Sequence, residues 1–212
     1  MPTFQTPAPI AVTIDVPSGN VQVIASDRSE TVVEIRPSSP AKKGDVRAAE
    51  QVQVDYTAGA LTVTLPKAWR LYGPLSGNPS IEVIVEVPAG SHLKATAALG
   101  RLLITGEFGE CDLEVAAGDI TVDRPRGSVT AKTAKGDIRV GDAARGILRL
   151  TTSYGELEVG IRPGSAARVE TNAQYGTVRN LMEPVGKGPG DTVQVFARNS
   201  YGNIVIRHTD AA

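Results

Sequence analysis

Residues 115–122 read Val-Ala-Ala-Gly-Asp-Ile-Thr-Val, and residues 133–140 read Thr-Ala-Lys-Gly-Asp-Ile-Arg-Val. The same phrase returns as Thr-Ser-Tyr-Gly-Glu-Leu-Glu-Val at 152–159 and as Asn-Ser-Tyr-Gly-Asn-Ile-Val-Ile at 199–206. Residues 97–104 also fit, and 173–180 fit until Asn180. The shared glycines are Gly100, Gly118, Gly136, Gly155, Gly176 and Gly202, at intervals of 18, 18, 19, 21 and 26. Internal repetition of this period marks a stacked repeat architecture.

Working outward from each glycine, four columns are apolar. Seven residues before it stand Leu93, Cys111, Val129, Leu148, Val169 and Val195; five before stand Ala95, Leu113, Ala131, Leu150, Thr171 and Ala197. Two after stand Leu102, Ile120, Ile138, Leu157, Val178 and Ile204; four after stand Ile104, Val122, Val140, Val159, Asn180 and Ile206. The columns between are mostly polar, and alternation with period two is the pattern of a half-buried strand. Gly109, Gly127 and Gly146 recur nine residues before a key glycine and mark a second corner. Each unit is strand, corner, strand, corner. One unit cannot bury its own apolar face, so equivalent columns stack about 4.8 Å apart. The expectation is a single-domain all-β chain, a parallel β-solenoid of short strand pairs with glycine corners. The alternative is an antiparallel β-sandwich in which each glycine corner is a hairpin turn.

The domain covers residues 1–212, with regular repeats over about 91–207 and irregular coils over about 10–90. In that first part Val12, Ile14, Gly19, Val21 and Val23 keep the column offsets, as do Val52, Val54, Gly59, Leu61 and Val63. Ile81–Val87 is a further strand. Arg36 to Gln51 interrupts the pattern, and a short helix is expected over Val46–Gln51.

The repeated Gly-Asp-Ile-x-Val corners resemble a bacterial family named "putative adhesin", built of β-strand repeats and a domain of unknown function. The resemblance implies a solenoid-like fold and names no ligand.

Composition narrows the function. A net charge of −1, with no long Lys/Arg run, argues against nucleic-acid binding. One cysteine, Cys111, leaves no intramolecular disulfide framework. No apolar stretch is long enough for a membrane span, and Met1 to Gly19 lacks the pattern of a signal peptide, so a cytoplasmic location is expected. His92 and His208 lie far apart in the repeat, which gives a Ser-His-Asp arrangement no support. The chain is read as a non-enzyme: an adhesin-like binding or scaffold protein, with a protein or glycan partner or with itself. A carbohydrate-binding module or carbohydrate-active enzyme is the alternative.

Three groups of residues could carry that role. Stacking places Tyr154, Tyr175 and Tyr201 in an aromatic row, which suits sugars or partner proteins and equally suits packing over the corner. Trp69 and Tyr72, on a Pro/Gly-rich loop, suit a binding anchor or an end cap. Asp119, Asp137 and Glu156 form a carboxylate ladder on one edge. Like charges at that spacing repel, which a Ca²⁺ ion would relieve; otherwise the acids accept hydrogen bonds at the turn. Arg139, Glu158 and Arg179 alternate in sign on a solvated face.

Overall fold

A computed structural model describes residues 1–66, 79–182 and 191–209. Its irregular first part runs β1 (Thr3–Gln5), β2 (Ala11–Ser26), β3 (Glu30–Pro37), α1 (Lys43–Gln51), β4 (Gln53–Thr57), β5 (Ala60–Thr64) and β6 (Ile81–Pro88). Strand pairs follow: β7 (His92–Leu99) with β8 (Leu102–Phe108), β9 (Cys111–Ala117) with β10 (Ile120–Pro125), β11 (Val129–Lys135) with β12 (Ile138–Ala143), and β13 (Gly146–Tyr154) with β14 (Leu157–Ile161). The last pairs are β15 (Ala166–Tyr175) with β16 (Val178–Asn180), and β17 (Thr192–Tyr201) with β18 (Ile204–His208).

Each pair is one coil of a parallel solenoid. The first strands form one sheet, in which Ala131 lies beside Leu113 on one side and Leu150 on the other. The second strands form another, in which Ile120 pairs with Ile138 and Ile138 with Leu157. β2 passes unbroken through the corner at Gly19, so its first half joins one sheet and its second half the other. The parallel registers exclude the antiparallel sandwich for the repeat.

The apolar columns line the interior. Leu113, Ile120, Ile138, Leu148, Leu150 and Leu157 are fully buried. Along the inner column Ala95, Leu113, Ala131, Leu150 and Ala197 alternate small with large, the pattern that lets facing layers interdigitate. Each buried Val, Leu or Ile adds about 1.5–3 kcal/mol of transfer free energy.

Two expectations are corrected. Gly59 is not a coil corner: β4 and β5 are antiparallel neighbours joined through Ala58 and Gly59, both at positive φ (50° and 80°), the signature of a two-residue hairpin. The stacking also departs from chain order at both ends. β2 lies between the β5/β6 coil and the β7/β8 coil. The β17/β18 coil lies between β13/β14 and β15/β16. In space the corner glycines therefore run Gly155, Gly202, Gly176.

The two ends differ. At the head, β3 runs antiparallel between β1 and β6, and β4 runs antiparallel beside β5. α1 packs there against β3 and β6; the helix forms as expected, starting at Lys43. Its buried Asp45 accepts backbone N–H groups from Ser39 (3.1 Å) and Ser80 (3.0 Å), pinning the insertion to the start of β6. At the tail, β15 and β16 are paired on one side only among the described residues.

Candidate functional site

The repeated corner is built from three hydrogen-bonded or close-packed columns. Gly118 and Gly136 adopt φ of +145°, and a Cβ on Gly136 would stand 2.1 Å from the Gly118 carbonyl oxygen. Both the dihedral and the approach exclude a side chain. Just inside the corner, Thr133 Oγ1 donates to the Gly118 carbonyl (3.1 Å) and Thr152 Oγ1 to the Gly136 carbonyl (3.0 Å); Asn199 Nδ2 does the same for Gly155 (3.0 Å). This inner column was not singled out from the sequence, although Thr or Asn three residues before a glycine was the available sign. These bonds give each corner carbonyl a side-chain donor from the neighbouring coil.

Asp119, Asp137 and Glu156 do stand on successive coils at one edge. Asp119 Oδ1 accepts the N–H of Asp137 (2.9 Å), and Asp137 Oδ1 accepts the N–H of Glu156 (2.9 Å). Glu156 then accepts from Asn203 Nδ2 (3.0 Å), and Asn203 Oδ1 receives the Thr177 N–H (3.1 Å). Asp119, Asp137 and Asn203 thus cap the neighbouring coil rather than their own turn, and Glu156 holds the Asn203 side chain. Among the described residues there is no group of three His, Cys, Asp or Glu side chains arranged to hold a metal ion.

The tyrosines come together in a changed order. Tyr154 stacks on Tyr201 at 4.9 Å between ring centroids and 1° between planes, and Tyr201 on Tyr175 at 4.8 Å and 10°. Their exposures are 56%, 45% and 59%, so the row is a surface feature. The faces of the middle ring are covered by its neighbours. What remains open is a line of ring edges and the outer faces at the two ends of the row, that of Tyr154 toward Lys135 and that of Tyr175 toward the end of the stack, where no further coil lies among the described residues. Earlier coils fill the same position with Ser18, Leu99, Ala117 and Lys135. Trp69 and Tyr72 lie outside the described residues.

The charged column is also reordered. Arg139 lies 3.7 Å from Glu158 as expected, but β18 intervenes before Arg179, and Arg207 takes its place at 2.9 Å from Glu158. A second network, unmarked in the repeat, ties β12, β14 and β18 together. Arg162 Nε donates to Asp142 (2.9 Å), and Thr209 Oγ1 donates to its other oxygen (3.2 Å). The Arg162 hydrogen bond holds the Asp142 carboxyl below the usual carboxylate range, and the Arg126 hydrogen bond does the same for Glu107. Burial pushes the Cys111 thiol up to about 12, so it is protonated and unreactive at neutral pH. His92 Nδ1 accepts the Glu110 backbone N–H (3.1 Å), and His208 stands on β18 several coils away. No helix among the described residues is long and apolar enough to cross a membrane.

No curated protein matches this chain. Among solved structures it is similar to a "putative cell adhesion protein" from Clostridium sporogenes, with 12% identity, 98% of each chain covered and a TM-score of 0.57. It also matches a "putative adhesin" from Bacteroides fragilis, with 10% identity, 97% of this chain and 95% of that one covered, and a TM-score of 0.44. The first of these likenesses supports the fold and nothing finer. The corner glycines from Gly19 to Gly202 all fall within residues 10–206, the span that matches the family described as Toastrack DUF4097, and the chain belongs to that family.

Proposed function

We propose that this chain is a non-enzymatic binding protein that engages a partner through the corner carrying Tyr154, Tyr201 and Tyr175. The supporting observation is that the tyrosine row is not required by the corner itself. Four other coils make the same turn with Ser18, Leu99, Ala117 or Lys135, yet three adjacent coils expose stacked rings there. Exposed tyrosine held rigidly loses little side-chain entropy on contact and offers both apolar area and a hydroxyl. The adhesion name carried by the Clostridium sporogenes protein agrees with this reading.

The stacking geometry favours a protein partner over a sugar platform. A sugar ring packs on an aromatic face, and stacking leaves Tyr201 with neither face free, whereas ring edges and hydroxyls run along the whole row and suit a polypeptide surface. The test replaces all three tyrosines with serine and compares binding to immobilised glycans and to intact cell surfaces. The variant is expected to lose binding while its melting temperature falls by no more than about 5 °C. A wild-type chain that binds neither surface overturns the reading, as does a serine variant that binds equally well. A much larger fall in melting temperature assigns the row to packing.

A further inference from the structure

The tail of the solenoid is unlike its head. Among the described residues, β15 is ten residues long and pairs only with β17. The Ala166 N–H bonds back to the Asp191 carbonyl, so by the alternation of a parallel strand the backbone groups of Ala167, Val169, Thr171 and Ala173 face off the end. Apolar column residues are also incompletely covered there. Val178 is 45% exposed, whereas its neighbour Ile204 is at 0%. Val169 is half-buried beside the fully buried Val195. Met182 packs against the core and covers part of the gap. An exposed strand of this length is a template for pairing with another chain.

We propose that this edge pairs with the same edge of a second copy, tail to tail, through antiparallel β15–β15 contact about a two-fold axis. Three observations select that occupant. First, a two-fold contact needs a self-complementary patch, and β15 has one. With Val169 on the axis, Arg168 of each chain faces Glu170 of the other, and Ala167 faces Thr171. Arg168 and Glu170 are both exposed, and neither forms an ion pair among the described residues. Second, the head offers no matching surface, since its outermost strands β4 and β1 have five and three residues. Third, residues 183–190, which follow β16 in the chain, read Glu-Pro-Val-Gly-Lys-Gly-Pro-Gly, with Val185 their one large aliphatic side chain. That composition gives little apolar surface with which to seal the end.

Tyr175 ends the same strand, β15, six residues from Val169, but the tyrosine reading is tested by ligand binding and this one by self-association, so failure of either is distinguishable from failure of the other. The experiment is sedimentation velocity on the full chain from about 1 μM to about 500 μM. A concentration-dependent dimer is expected. Arg168→Glu or Glu170→Arg alone places like charges opposite one another twice in the interface, and each is expected to raise the dimer dissociation constant at least about tenfold. The double variant Arg168→Glu/Glu170→Arg restores the opposed charges and is expected to recover most of the affinity. Both residues are exposed, so the variants retain the fold, which circular dichroism checks. A strict monomer across the range overturns the proposal, including one capped by residues 183–190. A dimer indifferent to the single reversals, or one the double reversal does not rescue, also overturns it.

Discussion

A single backbone carbonyl explains why the corner residue is invariant along the stack. At Gly136 a methyl group would overlap the Gly118 oxygen at 2.1 Å while forcing φ of +145° on a side-chain-bearing residue. Gly164 has φ of +87° but nothing within 4 Å of a built Cβ. Gly136→Ala is therefore expected to cost about 3 kcal/mol or more, through steric displacement added to strain. Gly164→Ala is expected to cost about 1 kcal/mol, from the dihedral alone. Urea unfolding midpoints measure both, and equal losses would show that the approach between coils is not what selects glycine. The need for a corner residue with no side chain was legible in the sequence. The destination of the Asp119 and Asp137 side chains was not, because a unit read alone does not reveal the amide that the next coil presents 2.9 Å away.

At the level of strands, cross-coil side chains fasten elements that the backbone ladder already aligns. Asp142 on β12 joins Arg162, just after β14, to Thr209, just after β18. Its carboxyl is held below its ordinary value by the Arg162 hydrogen bond, as Glu107 is by Arg126. A carboxylate whose folded pKa is depressed stabilises the fold above its unfolded pKa, near 4, and that stabilisation is lost as pH falls through the folded value. Unfolding midpoints are expected to be level between about pH 5 and 7 and to fall below about pH 4. Asp142→Asn is expected to lower the neutral-pH midpoint and flatten the acid slope; a slope unchanged in that variant would place the proton uptake elsewhere. Element type was readable from alternation for nearly every strand, and α1 from the break in it. The β4–β5 hairpin was not, because apolar offsets around Gly59 suit a strand that turns back in its own sheet as well as one that crosses to the other. The deciding factor is whether a neighbouring coil presents an equivalent corner, as Gly100 does for Gly118.

Across the whole stack, column pattern determines that coils lie on one another but leaves their order open. A sign of that order existed: Asn180 interrupts the apolar column in the β15/β16 unit, and a coil with a polar residue there is best tolerated at an end. The same reasoning explains why Val178 is exposed and Ile204 is not. Because β17 and β18 are interior, removing residues from Thr192 onward takes away the partners of both β15 and β16. Hydrogen exchange on that shortened chain is expected to show loss of protection throughout residues 166–180 as well. Retained protection would mean that β15 slips one place to pair with β13. The buried placement of β2 and β18 also governs how the molecule would carry load. Tension drawn between these two segments enters the stack at rungs zipped to neighbours above and below, so the outer rungs are not first in line to be peeled away. A pull along the chain must instead shear through several ladders at once, and the resisting element is the middle of the stack rather than its tips.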